Sequence, residues 1–260
     1  MKNLRKYGTP PFSVAVIHGG PGAPGQMAPV ARELAKDRGV LEPLQTAATL
    51  DGQVAELRDI IEKHGSPPVI LIGSSWGVML GYIFAARYPS LVGKLIMVGS
   101  AVFDNSYAAG IQKTRLSRLD DESKREVYSL VKELNNDAVD DKDGLLKRLG
   151  ELFTGADAYD PITLDTEVIE VRFDIHDGVW RDALNLRRSG ELLSLGKQIE
   201  CPVIAIHGDY DPHPSDGVEK PLSIVLKDFQ FILLERCGHL PWIERHARER
   251  FYEVVRGELG

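Results

Sequence analysis

The sequence predicts an α/β protein with a mostly parallel, doubly wound sheet of about six strands. Short apolar runs rich in Val, Ile and Leu alternate with helix-like stretches, a pattern typical of strands that helices bury on both faces. The predicted strands are residues 14–17, 40–44, 69–72, 95–98, 203–206 and 231–234. The predicted helices that separate or follow them are residues 27–37, 53–64, 78–87, 215–226 and 245–256.

The alternation of strands and helices stops after Gly99 and resumes about a hundred residues later. Because this interval is rich in charged and helix-forming residues, we expect residues 101–198 to form a helical cap inserted after the fourth strand. Residues 1–100 and 199–260 are then the core. The cap is expected to cover the edge where ligands bind in open α/β sheets. A separate helical domain is the alternative, but neither junction has a long linker rich in Pro, Gly or Ser.

Composition indicates a globular chain without polyanionic partners. The 260 residues carry 31 Lys and Arg against 38 Asp and Glu, a net charge of −7, and the two signs are interspersed. This balance disfavours nucleic acid as a ligand. No apolar run approaches the roughly 20 residues of a membrane span, so no membrane partner is expected. The basic opening, 1–12, has no cleavage site and is interpreted as a native start. The oligomeric state cannot be predicted from the sequence.

The two cysteines are not expected to form a disulfide. Cys201 precedes one predicted strand and Cys237 follows another, which places them at opposite edges of a parallel sheet, roughly 15 Å apart. That separation is too large for a disulfide bond. A cytoplasmic location is the expectation that follows for a chain with reduced thiols.

Residues 73–77, Gly-Ser-Ser-Trp-Gly, are the most informative segment because they stand between a predicted strand and a predicted helix. A serine at such a turn, with glycines two positions away on each side, has the pattern of a nucleophile elbow. Larger side chains at the glycine positions would collide across the strained turn. Ser75 is therefore the candidate nucleophile, and a glycine-rich turn without a chemical role is the alternative.

A serine hydroxyl attacks poorly at neutral pH, so Ser75 needs a base and a group that orients the base. His239 follows the last predicted strand and is expected to emerge at the same sheet edge as Ser75. Two carboxylates, Asp209 and Asp211, follow the preceding strand. We choose Asp211 as the orienting acid because it lies further into the loop, and we expect Asp209 to hold the turn. That both carboxylates serve the turn is the alternative.

Residues 18–22, His-Gly-Gly-Pro-Gly, follow the first predicted strand and supply a candidate oxyanion hole. Attack on a carbonyl builds negative charge on its oxygen, which preorganised backbone N–H groups stabilise. The N–H groups of Gly20 and Trp76 are the predicted pair. A phosphate-binding glycine loop is the alternative, but its spacing and its Lys-Ser/Thr pair are missing. Gly19 and Trp242 are expected to line the substrate pocket.

Together these segments resemble the α/β-hydrolase superfamily, and in particular the branch that contains proline iminopeptidases. The similarity is carried by residues 18–22, 73–77, 208–211 and 238–239. The order Ser, Asp, His along the chain is also that of the superfamily. The resemblance implies an α/β-hydrolase fold with Ser75 as nucleophile, His239 as base and Asp211 as orienting acid. It places the oxyanion hole at Gly20 and Trp76.

The chain departs from that branch in three places. Only seventeen residues precede His18, so the antiparallel hairpin that relatives carry there is expected to be absent. Relatives hold the substrate's free amino group with acidic residues, one of which often follows the triad aspartate, where this chain has Pro212. The cap lacks the Trp-and-Glu segment of the branch, and Glu167 and Glu170 are the remaining candidates. An ammonium group without a carboxylate partner binds poorly, which disfavours aminopeptidase specificity.

The sequence therefore predicts a serine hydrolase that cleaves a small carboxylic ester or amide through an acyl-enzyme. A proline iminopeptidase acting on short peptides is the first alternative. A ligand-sensing protein that retains the triad is the second, and a lyase or carbon–carbon bond hydrolase is the third. No organic cofactor is expected. No metal is expected either, because the spacing of His18, His207 and His213 is not that of metal ligands.

Overall fold

The computed structural model describes residues 3–163 and 168–260, which fold around one seven-stranded sheet. The strands are β1 Leu4–Tyr7, β2 Phe12–Ile17, β3 Gly39–Pro43, β4 Val69–Ser74, β5 Val92–Val98, β6 Val203–Gly208 and β7 Phe229–Leu234. Their order across the sheet is β1-β3-β2-β4-β5-β6-β7. All neighbouring pairs are parallel except β1 and β3. The predicted mostly parallel, doubly wound sheet is confirmed.

The helices lie between the strands and after the last one. They are α1 Ala28–Leu34, α2 Leu50–His64, α3 Trp76–Arg87, α4 Ile111–Ser117, α5 Asp121–Leu134, α6 Lys142–Asp157, α7 Phe173–Ser189, α8 Glu191–Ser194, α9 Asp216–Val225 and α10 Arg248–Leu259. Short 3₁₀ turns occur at Pro89–Leu91, Asn105–Gly110, Leu195–Gln198 and Pro241–Ile243. Within the described ranges, no helix combines the length and apolar character that crossing a bilayer demands.

Strand β1 corrects the expectation of about six strands and of a chain start without an antiparallel element. Leu4 pairs with Pro43 and Tyr7 with Val40, so β1 runs antiparallel along the outer edge of β3. The strand is short, mixed in polarity and only partly buried, as edge strands often are, and therefore shows no apolar run. The hydroxyl of Tyr7 donates to the buried carboxylate of Glu42 at 2.7 Å, which fixes β1 on the sheet.

Alternate side chains of the central strands enter two separate hydrophobic cores, one on each face of the sheet. Ala15 and Ile17 belong to the core built with α2, α3 and α7, whereas Val14 and Val16 belong to the core built with α1 and α10. Helix α3 is buried on all sides, from its first residue to the last but one. It follows β4 directly and therefore holds the end of that strand rigidly.

The chain between β5 and β6 carries helices α4 to α8. Helices α5 and α6 pack against each other, but α5 buries only Val127 and Leu130, and α6 buries only Ala156 and Asp157. Helix α7 buries three apolar residues against the main core. In the described part of residues 101–198, α5 and α6 thus bury few side chains, whereas α7, Ala101, Phe103 and Leu192 join the main core. We retain the name cap for this region.

Candidate active site

Ser75 occupies a strained turn between β4 and α3. Its backbone angles, φ 51° and ψ −110°, lie in a region that residues with a side chain rarely adopt. The flanking glycines permit the turn, because a Cβ on Gly73 would collide with the carbonyl oxygen of Gly77, and one on Gly77 with that of Ile17. The strand–turn–helix context and the glycine requirement are those predicted for a nucleophile elbow.

Ser75 and His239 both lie beside the carboxyl end of β5. The backbone N–H of Ser75 donates to the carbonyl oxygen of Val98 at 3.0 Å. A Cβ on the next residue, Gly99, would collide with the carbonyl oxygen of His239 and lie 3.3 Å from its Nδ1 atom. In the described part of the chain, the Ser75 hydroxyl makes no hydrogen bond. Hydrogen bonds between a nucleophile and its base are often long before substrate binds.

Asp211 and His239 are joined directly. The Asp211 loop follows β6, the His239 loop follows β7, and Oδ2 of Asp211 lies 2.7 Å from Nδ1 of His239. An ionised carboxylate only accepts hydrogen bonds, so Nδ1 carries the proton and Nε2 is left as the acceptor. Asp209, the other candidate acid, instead accepts from the backbone N–H of Cys237 at 3.1 Å. Asp209 therefore connects the loop after β6 to the loop after β7, whereas the sequence predicted that it stabilises its own turn.

The electrostatics of this pair favour an ionised carboxylate beside a basic imidazole. Burial on its own would raise the pKa of Asp211, but the attraction of His239, His213 and His207 holds it well below its usual range. Burial likewise lowers the pKa of His239, and the Asp211 carboxylate more than offsets this, so the pKa of His239 is raised. Asp157 contributes further to that rise.

The loop after β2 lies over Ser75. A Cβ on Gly19 would be 3.1 Å from Cβ of Ser75, and the Gly19 N–H donates to the side chain of Gln26 at 2.9 Å. Gly20 adopts φ +54°, which favours glycine. Trp76 is the first residue of α3, so its N–H has no acceptor within the helix. The two predicted oxyanion donors thus belong to backbone segments that meet at Ser75.

The side chains of the two candidate tryptophans, Trp242 and Trp76, belong to the cores. Trp242 is buried and packs against Phe251, with ring centroids 6.1 Å apart, on the α10 side of the sheet. Its placement in the substrate pocket is therefore corrected: the 3₁₀ turn that contains it directs the ring inward. The indole of Trp76 donates to Gln53 at 3.0 Å within the other core, which leaves only its backbone for the site.

Neither acidic candidate of the cap is shown at the site by the described residues. Glu170 is exposed beside Arg172, and Glu167 lies outside the described residues. Asp157, which sequence reasoning missed, lies at the site instead: its carbonyl oxygen accepts from the His239 N–H at 3.0 Å. Its buried carboxylate accepts hydrogen bonds from two nitrogens of Arg115, at 2.8 and 2.5 Å, so the two side chains form a bidentate ion pair.

Glu244 is a second residue that sequence reasoning missed. Its buried carboxylate accepts three backbone N–H groups, from Tyr159, Asp160 and Gly238, at 2.8–2.9 Å. The first two donors follow α6 in the cap, and the third directly precedes His239. Glu244 therefore fastens the cap to the loop that carries the candidate base.

A small cavity of about 40 Å³ lies beside His239 and beneath the end of α6. Its walls are formed by Gln26, Thr154, Asp157, Ala158, His239, Leu240 and Ile243. Such a volume accommodates one or two water molecules. Cap residues thus form part of the surface next to the candidate base.

Asp211, His213 and His239 form a cluster whose potential metal-ligating atoms all lie within 4.8 Å of one another. The structure therefore adds His213 to the Asp211–His239 pair that the sequence had predicted. The two Nδ1 atoms are each 2.7 Å from an oxygen of the carboxylate. We interpret the cluster as a hydrogen-bond network. Both cysteines are free thiols, as predicted, and burial raises the pKa of Cys237.

The fold and this arrangement define the chain as a hydrolytic enzyme of the α/β class. The model of the Alpha/beta hydrolase family matches residues 14–254, and the chain belongs to that family. The chain is 25% identical over 257 residues to a proline iminopeptidase from Heyndrickxia coagulans, covering 91% of this chain and 86% of that protein. The predicted resemblance to the proline iminopeptidase branch is confirmed.

Other relatives share the scaffold. A 2-hydroxy-6-oxononadienedioate/2-hydroxy-6-oxononatrienedioate hydrolase from Paraburkholderia phymatum is 23% identical over 223 residues, covering 83% of this chain and 70% of that protein. The solved structure of VinJ has a TM-score of 0.67 at 18% identity, covering 98% of this chain and 93% of that one. That of a proline iminopeptidase from Mycobacterium smegmatis has a TM-score of 0.63 at 16% identity, with the same coverage. These structures share the fold.

Proposed function

We propose that the chain is a serine hydrolase that cleaves a small carboxylic ester or amide through an acyl-enzyme. Ser75 is the nucleophile, His239 the general base and Asp211 the acid that orients it. The observation that carries the proposal is the 2.7 Å bond between Asp211 Oδ2 and His239 Nδ1, at the sheet edge where Ser75 sits on its strained turn. That bond leaves Nε2 of the imidazole free to take a proton.

In the acylation half of the reaction, Nε2 of His239 removes the hydroxyl proton as Ser75 Oγ attacks the substrate carbonyl. The carbonyl oxygen becomes negatively charged and is stabilised by the N–H groups of Gly20 and Trp76. The imidazolium then donates its proton to the leaving alcohol or amine, and the carbon–oxygen or carbon–nitrogen bond breaks.

In the deacylation half, water repeats the attack on the ester of Ser75. His239 takes a proton from the water, the oxyanion forms again, and collapse releases the carboxylic acid while the proton returns to Ser75. Asp211 stays ionised throughout and stabilises the imidazolium. Because this scheme needs only protein groups and water, the proposal includes no metal and no organic cofactor.

Charge pairing around His239 favours a substrate without a free amino group. The two buried carboxylates nearest the candidate base on the cap side are both engaged, Asp157 by Arg115 and Glu244 by three backbone N–H groups. A buried ammonium without a carboxylate partner would be costly. A neutral acyl ester or amide meets no such penalty.

A proline iminopeptidase is the second candidate function, and the similarity to the Heyndrickxia coagulans enzyme over most of both chains favours it. The two candidates differ in whether the cleft must bind an ammonium group. Comparing kcat/KM for proline anilide with kcat/KM for short acyl esters separates them. Faster turnover of the esters supports the proposal, and faster turnover of the anilide assigns the chain to the peptidase.

Covalent labelling tests the chemistry itself. A fluorophosphonate probe should label the folded protein at Ser75, and Ser75→Ala should abolish both labelling and ester turnover. Ser74→Ala is the matched control, because the neighbouring hydroxyl lies on the strand and is buried without a hydrogen-bond partner among the described residues. Absence of labelling in folded wild-type protein would refute the acyl-enzyme and favour a ligand-sensing role for the cleft.

A further inference from the structure

The carboxylate of Asp211 binds two imidazoles, not one. While Oδ2 faces His239, Oδ1 lies 2.9 Å from the backbone nitrogen of His213 and 2.7 Å from its Nδ1 atom. The two histidine rings are in tilted contact, with centroids 4.7 Å apart and planes inclined by 31°. The Asp211 side chain is fully buried and each imidazole is 10% exposed, so solvent competes little for these bonds.

A residue of the sheet fixes the backbone of His213. The carbonyl oxygen of His213 lies 2.8 Å from Nε2 of His207, the last but one residue of β6. Nε2 of His207 also lies 3.6 Å from Oδ2 of Asp211. The backbone of His213 is therefore fixed by a strand residue, and its ring is fixed by the carboxylate.

This arrangement restricts how the carboxylate turns. The torsion that rotates an aspartate carboxylate has a broad, roughly two-fold energy profile, so one hydrogen bond does not choose between the two oxygens. Two donors from the same residue hold Oδ1 in place. The other oxygen then points at Nδ1 of His239 without further loss of freedom when the imidazolium forms.

We propose that His213 is a positioning residue of the site: its N–H and Nδ1–H hold Oδ1 of Asp211 so that Oδ2 alone accepts the hydrogen bond from Nδ1–H of His239. The inference rests on the proposed function, because it assigns His213 a role in the same triad. His213 touches the acid and packs on the base, and it takes no proton from the substrate.

The ionisable groups around the cluster come from several elements. His207 lies on β6, Arg115 on α4 and Asp157 on α6, and each acts electrostatically on one or more of the three clustered groups. Burial lowers the pKa of His213 although Asp211 attracts a proton to it, so His213 remains a neutral donor. Removing that donor leaves the carboxylate less stabilised, and it then holds the His239 proton more strongly. The pKa of His239 is expected to rise.

The test compares His213→Leu, which removes the ring donor, with His213→Asn, whose side-chain N–H₂ can reach the position of Nδ1. For His213→Leu we expect kcat to fall about 10- to 100-fold per labelled Ser75 with KM little changed, the range for losing a hydrogen bond to a charged group. The acid limb of its pH–kcat/KM profile should move to higher pH. His213→Asn should restore most of kcat and the wild-type acid limb.

Two outcomes overturn the inference. If His213→Leu, normalised to labelled Ser75, matches wild type in kcat and pH profile, the residue only packs in the core. If His213→Asn is as impaired as His213→Leu while both fold, the ring and not its donor matters. The His239 titration, followed by NMR in folded wild type and His213→Leu, tests the same role without turnover, and an unchanged pKa of His239 would contradict it. Failure of the proposed function is a separate result, an unlabelled wild-type Ser75.

Discussion

Two regions of the molecule differ in what fixes their geometry: the loops at the carboxyl edge of the sheet, and the cap. At the edge, a Cβ on Gly73, Gly77 or Gly99 would collide with a backbone oxygen, so neighbouring loops touch through their main chains. On α6 of the cap, Gly150 and Gly155 have no described neighbour within 4 Å of such a Cβ. Backbone packing thus sets the site, whereas α6 has open space at these two positions.

The two regions meet at a few polar joints. The Arg115–Asp157 pair holds the end of α6, and Glu244 holds the residues that follow it. Both joints end on the loop of His239, through the carbonyl of Asp157 and the N–H of Gly238. The cap therefore contacts the loop of the candidate base through these polar contacts, whereas the apolar residues of α7 pack in the other core.

The largest effect is expected at the edge, from Asp211→Asn. The amide keeps the shape but presents a donor to His239, which favours the wrong tautomer, so kcat/KM should fall about 10³- to 10⁴-fold. In wild type the pKa of His239 is raised above its ordinary value of about 6.5, so the acid limb of the pH–kcat/KM profile lies above that pH. Activity falls as the pH drops through this limb, because His239 becomes protonated. Without the carboxylate, burial outweighs the smaller effect of Asp157 on the pKa of His239, and the limb should move to lower pH.

The control for this variant is Asp209→Asn, which keeps the oxygen that accepts from Cys237 N–H. It should retain wild-type turnover and an unchanged acid limb. Equal loss of activity in the two variants would show that both aspartates merely hold the loops. Stopped-flow or steady-state assays between about pH 5 and 9, within the range where the base titrates, provide the measurement.

Gly77→Ala should destabilise the fold by about 3 kcal/mol or more, because its Cβ has no space beside the carbonyl oxygen of Ile17. Alanine is the better helix former, so propensity alone predicts the opposite sign. Urea unfolding monitored by tryptophan fluorescence measures the difference. A stability equal to that of wild type would mean that β2 and α3 can move apart, and the claim of a backbone-fixed edge would fail.

The segments of the edge region could be located from the sequence because their features are local. Gly73 to Gly77 is recognised from five adjacent residues, and Asp211 and His239 each follow a short apolar run that predicts a buried strand. The mostly parallel sheet follows from the same runs. Strand β1 was missed because an edge strand with charged residues has neither an apolar run nor an alternation.

The contacts that complete the site were missed for a different reason. Arg115 and Asp157 are 42 residues apart, and Glu244 binds donors about 85 residues away. No local sequence pattern predicts contacts over such separations. His213 follows an Asp-Pro pair that is equally typical of a turn. Its role is visible only once the loop folds back and places its ring on the carboxylate two residues earlier.

Arg115→Ala tests the first polar joint. It leaves the buried Asp157 carboxylate without its bidentate partner, which should cost about 3 kcal/mol of stability. Activity should fall as well, because the Asp157 carbonyl orders the His239 loop. Arg148→Ala, which breaks an exposed ion pair with Glu126 in the same cap, is the matched control and should leave the unfolding midpoint near that of wild type. Similar unfolding midpoints for Arg115→Ala and Arg148→Ala would contradict a stabilising role for the Arg115–Asp157 pair.

Glu244→Gln tests the second joint. The glutamine keeps the volume but turns one of the two acceptor oxygens into a donor that faces backbone N–H groups, an expected loss of about 1–3 kcal/mol. Hydrogen exchange should show faster exchange at Tyr159, Asp160 and Gly238. The control Glu253→Gln changes an exposed carboxylate on α10, and its exchange pattern should match wild type. Unchanged protection in Glu244→Gln would show that the cap is held elsewhere.

The smallest effect is expected in the cap, from Gly150→Ala on the exposed side of α6. The added methyl meets nothing and alanine loses less backbone entropy, so the fold should gain about 0.5–1 kcal/mol. Gly190→Ala is the informative counterpart. It also has open space, but its φ of +78° at the end of α7 is unfavourable for alanine, so it should destabilise. If the free energy of unfolding rises for Gly150→Ala and falls for Gly190→Ala, backbone conformation and not crowding determines the effect of alanine at these two cap positions. At Gly77, crowding determines it.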